Sequence, residues 1–169
     1  MAIRQIRLLG DPVLREPCRE VEDVDDTIRR LVDDLMDTMY HADGIGLAAP
    51  QIGVSQRVFV YDVSEGEHPP GVLINPRIIE SAGMVRESEG CLSIPDLSEI
   101  VERSVSVVAE GKDREGRLVR VETDGLLSRC LQHETDHLDG ILFLDRISPL
   151  KRKMLLSKWT KATRGENSG

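Results

Sequence analysis

Two histidines near the end of the chain have the spacing of metal ligands. His133 and His137 form an H-E-x-x-H pattern, with Glu134 directly after the first histidine. On an α-helix, residues four apart share one face, so both imidazoles can reach one ion. Glu134 then lies beside water held by that ion, where a carboxylate can accept a proton. The pattern predicts a hydrolytic metal centre, and the alternative hypothesis is a surface helix with two solvated histidines.

A catalytic metal ion of this kind needs a third protein ligand. In metzincin proteases the motif continues to a histidine, at the position that is Phe143 here. In thermolysin-like proteases the third ligand is a later glutamate, and the only later glutamate here is Glu166 in the last residues of the chain. We therefore expect the third ligand upstream of the motif. The candidates there are many carboxylates and Cys18, His41, His68, Cys91 and Cys130.

Two of these cysteines are expected to lie near the histidines. Cys130 falls on the same helical stripe, but about 10 Å of helical rise separates it from His137. Three bonds of about 2.0–2.3 Å to one ion cannot span that length, so Cys130 is not expected to be a ligand. Cys130 and Leu126 lie on the same helical stripe as the histidines and are expected to line a pocket. Cys91 lies in Glu89–Pro95, where glycine and proline indicate a turn. A thiolate there completes a Cys-His-His site with an open position; the alternative is an ordinary turn with a buried cysteine.

The elements that position these residues follow from periodicity and turn signals. The H-E-x-x-H helix is expected to be capped by Asp124 and to stop at Gly140. Apolar residues at helical spacing predict a first helix from about Asp25 to Tyr40, and a last helix is expected from about Pro149 to Ala162. Strands are predicted at Arg57–Asp62, Val72–Ile79, Ser104–Ala109 and Leu118–Glu122. Short strands and three helices without regular alternation predict an α+β fold.

The composition is that of an ordinary globular protein. The chain has 169 residues, 40% of them hydrophobic and 31% charged, which is enough for one core. It has neither a basic-then-apolar leader nor an apolar run long enough to cross a bilayer, and its three cysteines fit a reducing compartment. We therefore expect one cytoplasmic domain over residues 1–169, without DNA or a membrane as a partner.

Three motifs in fixed order resemble those of bacterial peptide deformylases. The motifs G-x-G-x-A-A-x-Q, E-G-C-L-S and Q-H-E-x-D-H occur here as Gly44–Gln51, Glu89–Ser93 and Gln132–His137. The similarity covers nearly the whole chain, including the Gly-Asp-Pro-Val-Leu sequence at Gly10–Leu14. It implies a metal-dependent hydrolase that removes the formyl group from the formyl-methionine of nascent polypeptides. Formate is released during this co-translational processing.

The resemblance also implies a role for each residue of the site. Cys91, His133 and His137 would hold Fe²⁺, with Zn²⁺, Ni²⁺ or Co²⁺ able to substitute, because the ligand set itself suits zinc as well as iron. Glu134 would move the proton. The amide of Gln51 and the backbone N–H of Leu92 would stabilise negative charge on the formyl oxygen. The residues expected to bind the peptide, partly as an added strand, are Gly44, Ile45, Gly46, Gly90, Leu126, Arg129 and Cys130.

Two positions depart from the family pattern near the expected substrate. Many relatives have E-Q-R after the proline of the second motif, with the arginine beside the peptide, whereas this chain has Asp96-Leu97-Ser98. Position 129, usually apolar and part of the methionine pocket, is Arg129. Neither change alters the expected chemistry, but both leave the peptide preference open.

The last residues differ in charge from the rest of the chain. Residues 150–169 contain six basic residues and one acidic residue, a net charge of +5, which leaves −13 for residues 1–149. A basic helix on an acidic body suits a polyanion, and relatives dock on the ribosome through this helix. We expect it to bind the ribosome near the exit tunnel. The alternative is a solvated helix that packs on the body through Met154, Leu155 and Trp159.

Overall fold

The fold combines three α-helices with two antiparallel sheets. The computed structural model describes residues 2–63 and 68–167. Within them, the helices are α1 (Asp26–His41), α2 (Gly125–Leu138) and α3 (Pro149–Asn167), and short 3₁₀ helices lie at Pro12–Arg15, Ala49–Ile52 and Phe143–Arg146. The strands of this described part are β1 (Gly46–Ala48), β2 (Val58–Tyr61), β3 (Gly71–Ala82), β4 (Val85–Cys91), β5 (Ile94–Arg103), β6 (Ser106–Lys112) and β7 (Leu118–Asp124). The predicted α+β class is confirmed.

The larger sheet is sandwiched between two helices. Its order is β1-β2-β3-β6-β7, with every neighbouring pair antiparallel, while β4 and β5 form a separate hairpin. Successive strand residues point to opposite faces. Val58 and Val60 of β2 therefore pack with α1, and Phe59 and Tyr61 pack in the cluster that contains α2. Burial on both faces explains why β2 is apolar at every position.

Helix α1 begins and ends close to its predicted limits. The side chain of Asp25 accepts a hydrogen bond from the N–H of Ile28 at 3.0 Å and so caps the first turn. One stripe of the helix is buried, namely Ile28, Leu31, Val32, Leu35 and Met39. His41 is the last residue of the helix and is exposed, and the Gly44–Gln51 segment follows shortly after it.

Helix α2 is the predicted H-E-x-x-H helix, with one correction at its start. Asp124 occupies the cap position, but its side chain makes no capping hydrogen bond, so that part of the prediction is wrong. Instead, Gly125 has a φ of 61° and turns the chain directly from β7 into the helix. At the other end Gly140 has a φ of 75°, and a Cβ there would lie 2.6 Å from the carbonyl oxygen of Arg15. Only glycine fits this position.

The hairpin of β4 and β5 was not predicted. The Glu89–Pro95 segment, expected to be a turn, is the tip of this hairpin, with only Leu92 and Ser93 between the strands. Most of β4 is polar and exposed, so it lacks the apolar alternation that identifies a half-buried strand. The short strand β1 was missed as well, because its three residues lie within a glycine-rich motif.

Strand β3 runs through Asn75 and Pro76, and its pairing with β6 shifts register between Ile74 and Arg77. The Asn75 side chain accepts a hydrogen bond from the N–H of Val21 and donates one to its carbonyl, both at 2.8 Å. His68, one of the upstream ligand candidates, is half-buried, with its Nε2 3.4 Å from the hydroxyl of Thr123.

Helix α3 extends past its predicted end and packs on the body through one face. Leu155 is buried and Trp159 is partly buried in a cluster with residues of the first 3₁₀ helix and of β5. Met154, which the alternative hypothesis also placed against the body, is 55% exposed. Among the residues the structure describes, none of the helices has both the length and the apolar content needed to cross a membrane.

Candidate active site

Three possible metal ligands meet at the junction of α2 and the β4–β5 hairpin. The Nε2 atoms of His133 and His137 are 3.1 Å apart, and the Sγ of Cys91 is 3.4 Å from Nε2 of His137. All three ligand atoms lie within 4.8 Å of one another, and no other such group of three occurs in the described part of the chain. A thiolate and two imidazoles suit a tetrahedral ion with an open fourth position. The donor set therefore fits a catalytic divalent metal ion.

Both histidines are buried, which argues against the alternative of a solvated surface helix. His133 is 8% exposed and His137 is fully buried.

The other upstream candidates lie outside the cluster. Burial raises the pKa of Cys18 to about 11, and burial also raises the pKa of Cys130, so both thiols stay protonated.

An ionised carboxylate orients His133. The Oε2 atom of Glu89 is 2.7 Å from Nδ1 of His133, and Arg103 donates to both oxygens of Glu89, at 3.0 and 2.7 Å. Burial alone raises the pKa of Glu89, but the hydrogen bonds from His133 and Arg103 hold it at about 2. The charged carboxylate keeps a proton on Nδ1 and leaves the Nε2 lone pair free for a metal ion. The Glu89–Arg103 ion pair is thus largely shielded from solvent.

The same arginine ties α2 to the rest of the site. Arg103 also donates to Asp136 at 2.7 Å, and Arg146 donates to both oxygens of Asp136, at 3.1 and 2.8 Å. Glu89, Arg103, Asp136 and Arg146 thus form one ionic network that runs from β4 through α2 to the third 3₁₀ helix. The network anchors the helix that carries both histidines.

Replacing Arg103 with methionine is expected to lower the free energy of unfolding by about 3–5 kcal/mol, because two buried carboxylates lose their partner. Urea unfolding followed by circular dichroism measures this change. Arg114 provides the control, because it pairs with Asp33 at 2.9 Å on the exposed surface. Its replacement by methionine should cost less than about 1 kcal/mol. Equal losses in the two variants would show that the buried network adds nothing to stability.

Glu134 is a buried carboxyl group at the wall of the site. It is 4% exposed, its Oε2 lies 4.0 Å from Nε2 of His133, and its Oε1 has no hydrogen-bond partner among the described residues. Burial raises the pKa of Glu134 to about 7, against a smaller opposing effect of His133. A carboxyl group with this pKa can both accept and donate a proton near neutral pH.

Gln51 and Leu92 lie next to Cys91 of the ligand cluster. The carboxamide of Gln51 accepts a hydrogen bond from the N–H of Ala48 at 3.0 Å, and its Nε2 lies 3.1 Å from the hydroxyl of Ser93 and 3.7 Å from the sulfur of Cys91. Leu92 is in the hairpin turn directly after Cys91. Both residues line the same cleft as Glu134.

The cleft has a volume of about 640 Å³, which is within the range of ligand-binding pockets. One wall is Gly44–Gly46, which leads into β1, an edge strand of the larger sheet. A Cβ at Gly46 would lie 2.7 Å from Oε2 of Glu134, and one at Gly44 would lie 2.7 Å from the side chain of Leu92. The residues predicted to bind the peptide all line the cleft: Gly44, Ile45, Gly46, Gly90, Leu126, Arg129 and Cys130.

Sequence reasoning missed some residues of the site. Asp43, Ile94 and Leu97 line the cleft. The hydroxyl of Ser93 accepts a hydrogen bond from Nε2 of Gln51. Ser93 belongs to the E-G-C-L-S motif, which was the available signal. Asp43 has a φ of 56° just before Gly44, and no sequence pattern indicated that this turn would reach the cleft.

Comparison with known proteins identifies the family. Residues 3–153 match the family described as polypeptide deformylase. The peptide deformylase of Rhizobium meliloti is 53% identical over 171 residues, covering 98% of each chain, and that of Agrobacterium fabrum is 51% identical over 169 residues, covering 98% of this chain and 99% of the relative.

Solved structures agree with this result. A peptide deformylase from Legionella pneumophila superposes with a TM-score of 0.93 at 43% identity, covering 99% of both chains. A peptide deformylase from Ehrlichia chaffeensis in complex with actinonin gives a TM-score of 0.91 at 38% identity, covering 97% of this chain and 99% of that one. The chain therefore belongs to the polypeptide deformylase family, metal-dependent enzymes that hydrolyse the formyl group from the N-terminus of nascent polypeptides.

Proposed function

We propose that this chain removes the N-formyl group from nascent polypeptides with Cys91, His133 and His137 as its metal ligands. The observation that carries the proposal is the convergence of these three side chains at a cleft that also contains Glu134 and Gln51. Water and the formyl amide are converted to formate and a free amino terminus. A divalent ion bound there supplies Lewis-acid polarisation of the formyl group and activation of water.

The side chains around the ligand cluster perform the remaining chemistry. Glu134 accepts the proton of the attacking water and returns it to the nitrogen of the departing amine. Its buried position and raised pKa, at about 7, suit both transfers. The amide N–H of Gln51 and the backbone N–H of Leu92 donate to the formyl oxygen as negative charge develops on it.

The peptide binds along the free edge of β1. An extended chain can add to this edge through main-chain hydrogen bonds, between Gly44–Gly46 on one side and Gly90 on the other. Leu126, Arg129 and Cys130 of α2 contact the methionine side chain. A Cβ at Gly44 or Gly46 would collide with Leu92 or Glu134, so these glycines let the backbone next to β1 lie directly against the site, which supports the assignment.

We propose Fe²⁺ as the native ion, with Zn²⁺, Ni²⁺ or Co²⁺ able to replace it. The ligand set accepts all four, so the choice of iron rests on the family resemblance. A thiolate at an open ferrous site is sensitive to oxygen and peroxide, and the protein should therefore be prepared without air.

Release of formate from formyl-Met-Ala-Ser tests the proposed function. Anaerobically prepared, iron-loaded protein should release one formate per peptide and leave the internal peptide bonds intact. Mass spectrometry of the peptide product distinguishes this outcome from peptidase activity. Cleavage between the residues, or an unchanged peptide, would contradict the proposal.

We also propose that the chain is one cytoplasmic domain over residues 1–169. The family match ends at residue 153, within α3. The proposal is supported by the burial of Leu155 and by the packing of Trp159 against the body of the protein, which join the rest of α3 to the same core.

For α3 itself we propose a role in ribosome binding. Its lysines at 151, 153, 158 and 161 are exposed, and Leu155 packs on the body. Lys151 and Lys158 lie on the same side of the helix as Leu155, and Lys153 lies on the far side. Lys151 pairs with Glu99 at 3.4 Å and Arg152 with Asp145 at 3.8 Å, so these two charges are partly neutralised. Lys153 and Lys161 have no ion-pair partner among the described residues and remain available for RNA phosphate.

Reversing the charge of Lys153 and Lys161 together is expected to lower ribosome affinity at least about tenfold at about 50 mM salt, because phosphate contacts are lost. Charge reversal is preferable to deletion, because deletion would expose the core around Leu155. Sedimentation with purified ribosomes measures the affinity, and activity on formyl-Met-Ala-Ser should not change. Arg19→Glu with Arg30→Glu makes the same change in net charge away from α3 and is the control. Equal losses in both double variants would contradict a specific role for the helix.

A further inference from the structure

Gln51 and Ser93 are linked both through their side chains and through the backbone. The Nε2 of Gln51 donates to the hydroxyl oxygen of Ser93 at 3.1 Å. In addition, the N–H of Arg7 donates to the carbonyl of Gln51 at 2.7 Å, and the N–H of Leu9 donates to the carbonyl of Ser93 at 2.9 Å. The N-terminal segment Arg7–Leu9 therefore holds the two residues at a fixed separation. This arrangement has a consequence for the orientation of the Gln51 carboxamide.

The neighbours of the carboxamide determine which of its atoms faces the ligand cluster. A backbone N–H can only donate, so the carboxamide atom that faces the N–H of Ala48 at 3.0 Å must be Oε1. Nε2 then faces Ser93 and, at 3.7 Å, the sulfur of Cys91. The hydroxyl oxygen of Ser93 takes one of the two hydrogens on Nε2. The other hydrogen points toward the ligand cluster, where Nε2 donates a long hydrogen bond to the sulfur of Cys91.

Ser93 makes this orientation specific. It is fully buried, so water does not compete for its hydroxyl. With the oxygen of the carboxamide held by Ala48 and the nitrogen held by Ser93, neither rotation nor exchange of the two ends is favourable. Donors that stabilise developing charge are effective only when their geometry is fixed before the reaction. Without Ser93 the nitrogen end of the carboxamide would have no such anchor.

We propose that Ser93 is a positioning residue for deformylation, which holds the Gln51 carboxamide so that one N–H points toward the ligand cluster, where it can donate to the formyl oxygen in place of the weak contact with Cys91. The inference rests on the proposed role of Gln51. Ser93 acts through Gln51 and does not touch the substrate. Removal of its hydroxyl should therefore change the rate of the reaction more than the binding of the peptide or the metal ion.

A double-mutant cycle tests the proposal in the iron-loaded protein, with formyl-Met-Ala-Ser as substrate. Ser93→Ala is expected to lower kcat about tenfold, with KM within about twofold of wild type and iron content unchanged. Gln51→Ala is expected to lower kcat about 10²–10³-fold, the usual effect of losing one such donor. In the Gln51→Ala background, Ser93→Ala should cause no further loss, because the residue it positions is absent.

Ser128 provides a matched control. It is also fully buried, and its hydroxyl accepts a hydrogen bond from Nε2 of Gln132 at 3.1 Å, but it does not line the cleft. Ser128→Ala should lower the thermal midpoint about as much as Ser93→Ala, with kcat within about twofold of wild type. This comparison separates the loss of a buried hydroxyl from the loss of a positioned carboxamide.

The outcomes separate this inference from the function on which it rests. A fully active Ser93→Ala variant would overturn it, as would an equal loss from Ser93→Ala with and without Gln51, or a fully active Gln51→Ala variant. Each of these results leaves deformylation by the wild type intact. A wild-type protein that releases no formate would overturn the proposed function and the role of Ser93 together.

Discussion

Replacing Glu134 with glutamine is expected to lower kcat at least about a hundredfold while the protein binds its metal ion normally. Glutamine has the shape of the glutamate side chain but can neither accept the proton of water nor pass it to the amine. The buried Oε1 of Glu134 has no partner among the described residues, so no structural bond is lost with it. The raised pKa of Glu134, caused mainly by burial, fits a group that transfers protons rather than one that maintains a salt bridge.

Turnover of formyl-Met-Ala-Ser and metal content per chain, measured on one preparation, test this expectation. Glu87→Gln is the control, because it makes the same chemical change on the exposed part of β4. It should leave kcat within about twofold of wild type. If Glu134→Gln retained near-normal turnover with a full complement of metal, Glu134 would have no part in the mechanism.

Cys91→Ser is expected to weaken iron binding by more than about a hundredfold and to lower activity with it. Loss of an outer-shell partner typically costs about 10–100-fold in metal affinity, and loss of a direct ligand should cost more. A serine hydroxyl is protonated at neutral pH and is a poor ligand where a thiolate is a good one. Equilibrium dialysis against an iron chelator measures the affinity.

Cys130→Ser is the matched control for this change. Cys130 is buried on the same helix as the histidines, but its sulfur lies 3.6 Å from the carbonyl oxygen of Ile45 and outside the ligand cluster. Its replacement should leave iron affinity unchanged. If Cys130→Ser lost iron while Cys91→Ser kept it, the choice of the third ligand would be wrong.

The parts of the site that depend on local spacing could be predicted from the sequence. His133 and His137 are one helical turn apart, so their common face follows from the pattern alone. The buried stripe of α1 likewise follows from apolar residues at helical spacing, and its limits differ from the prediction by one residue. These features need no knowledge of the distant contacts of the chain.

The ionic network could be predicted only in outline, because it depends on contacts between distant segments. Glu89 and Arg103 are brought together by the pairing of β4 with β5, and that hairpin was not recognised from its polar sequence. The third partner, Asp136, and the fourth, Arg146, belong to other elements. Charged residues are usually exposed, as Arg146 is here, and nothing in the sequence marks Arg103 and Asp136 as buried.

The link between Gln51 and Ser93 was hidden for a different reason. The motifs that contain the two residues are more than forty positions apart, and the segment that ties their backbones is Arg7–Leu9. The backbone N–H groups of that segment are common to almost every residue type. No pattern of side chains could therefore indicate this contact.

X-ray absorption at the iron edge of the anaerobically loaded protein is the most direct test of the central claim, that one cysteine and two histidines hold the catalytic ion. The spectrum should contain one sulfur at about 2.3 Å and two imidazole nitrogens at about 2.0–2.1 Å per iron. In Cys91→Ser loaded with excess iron, the sulfur contribution should disappear, and in Cys130→Ser it should remain. A wild-type spectrum without a sulfur ligand, or a sulfur signal that survives in Cys91→Ser, would contradict the account.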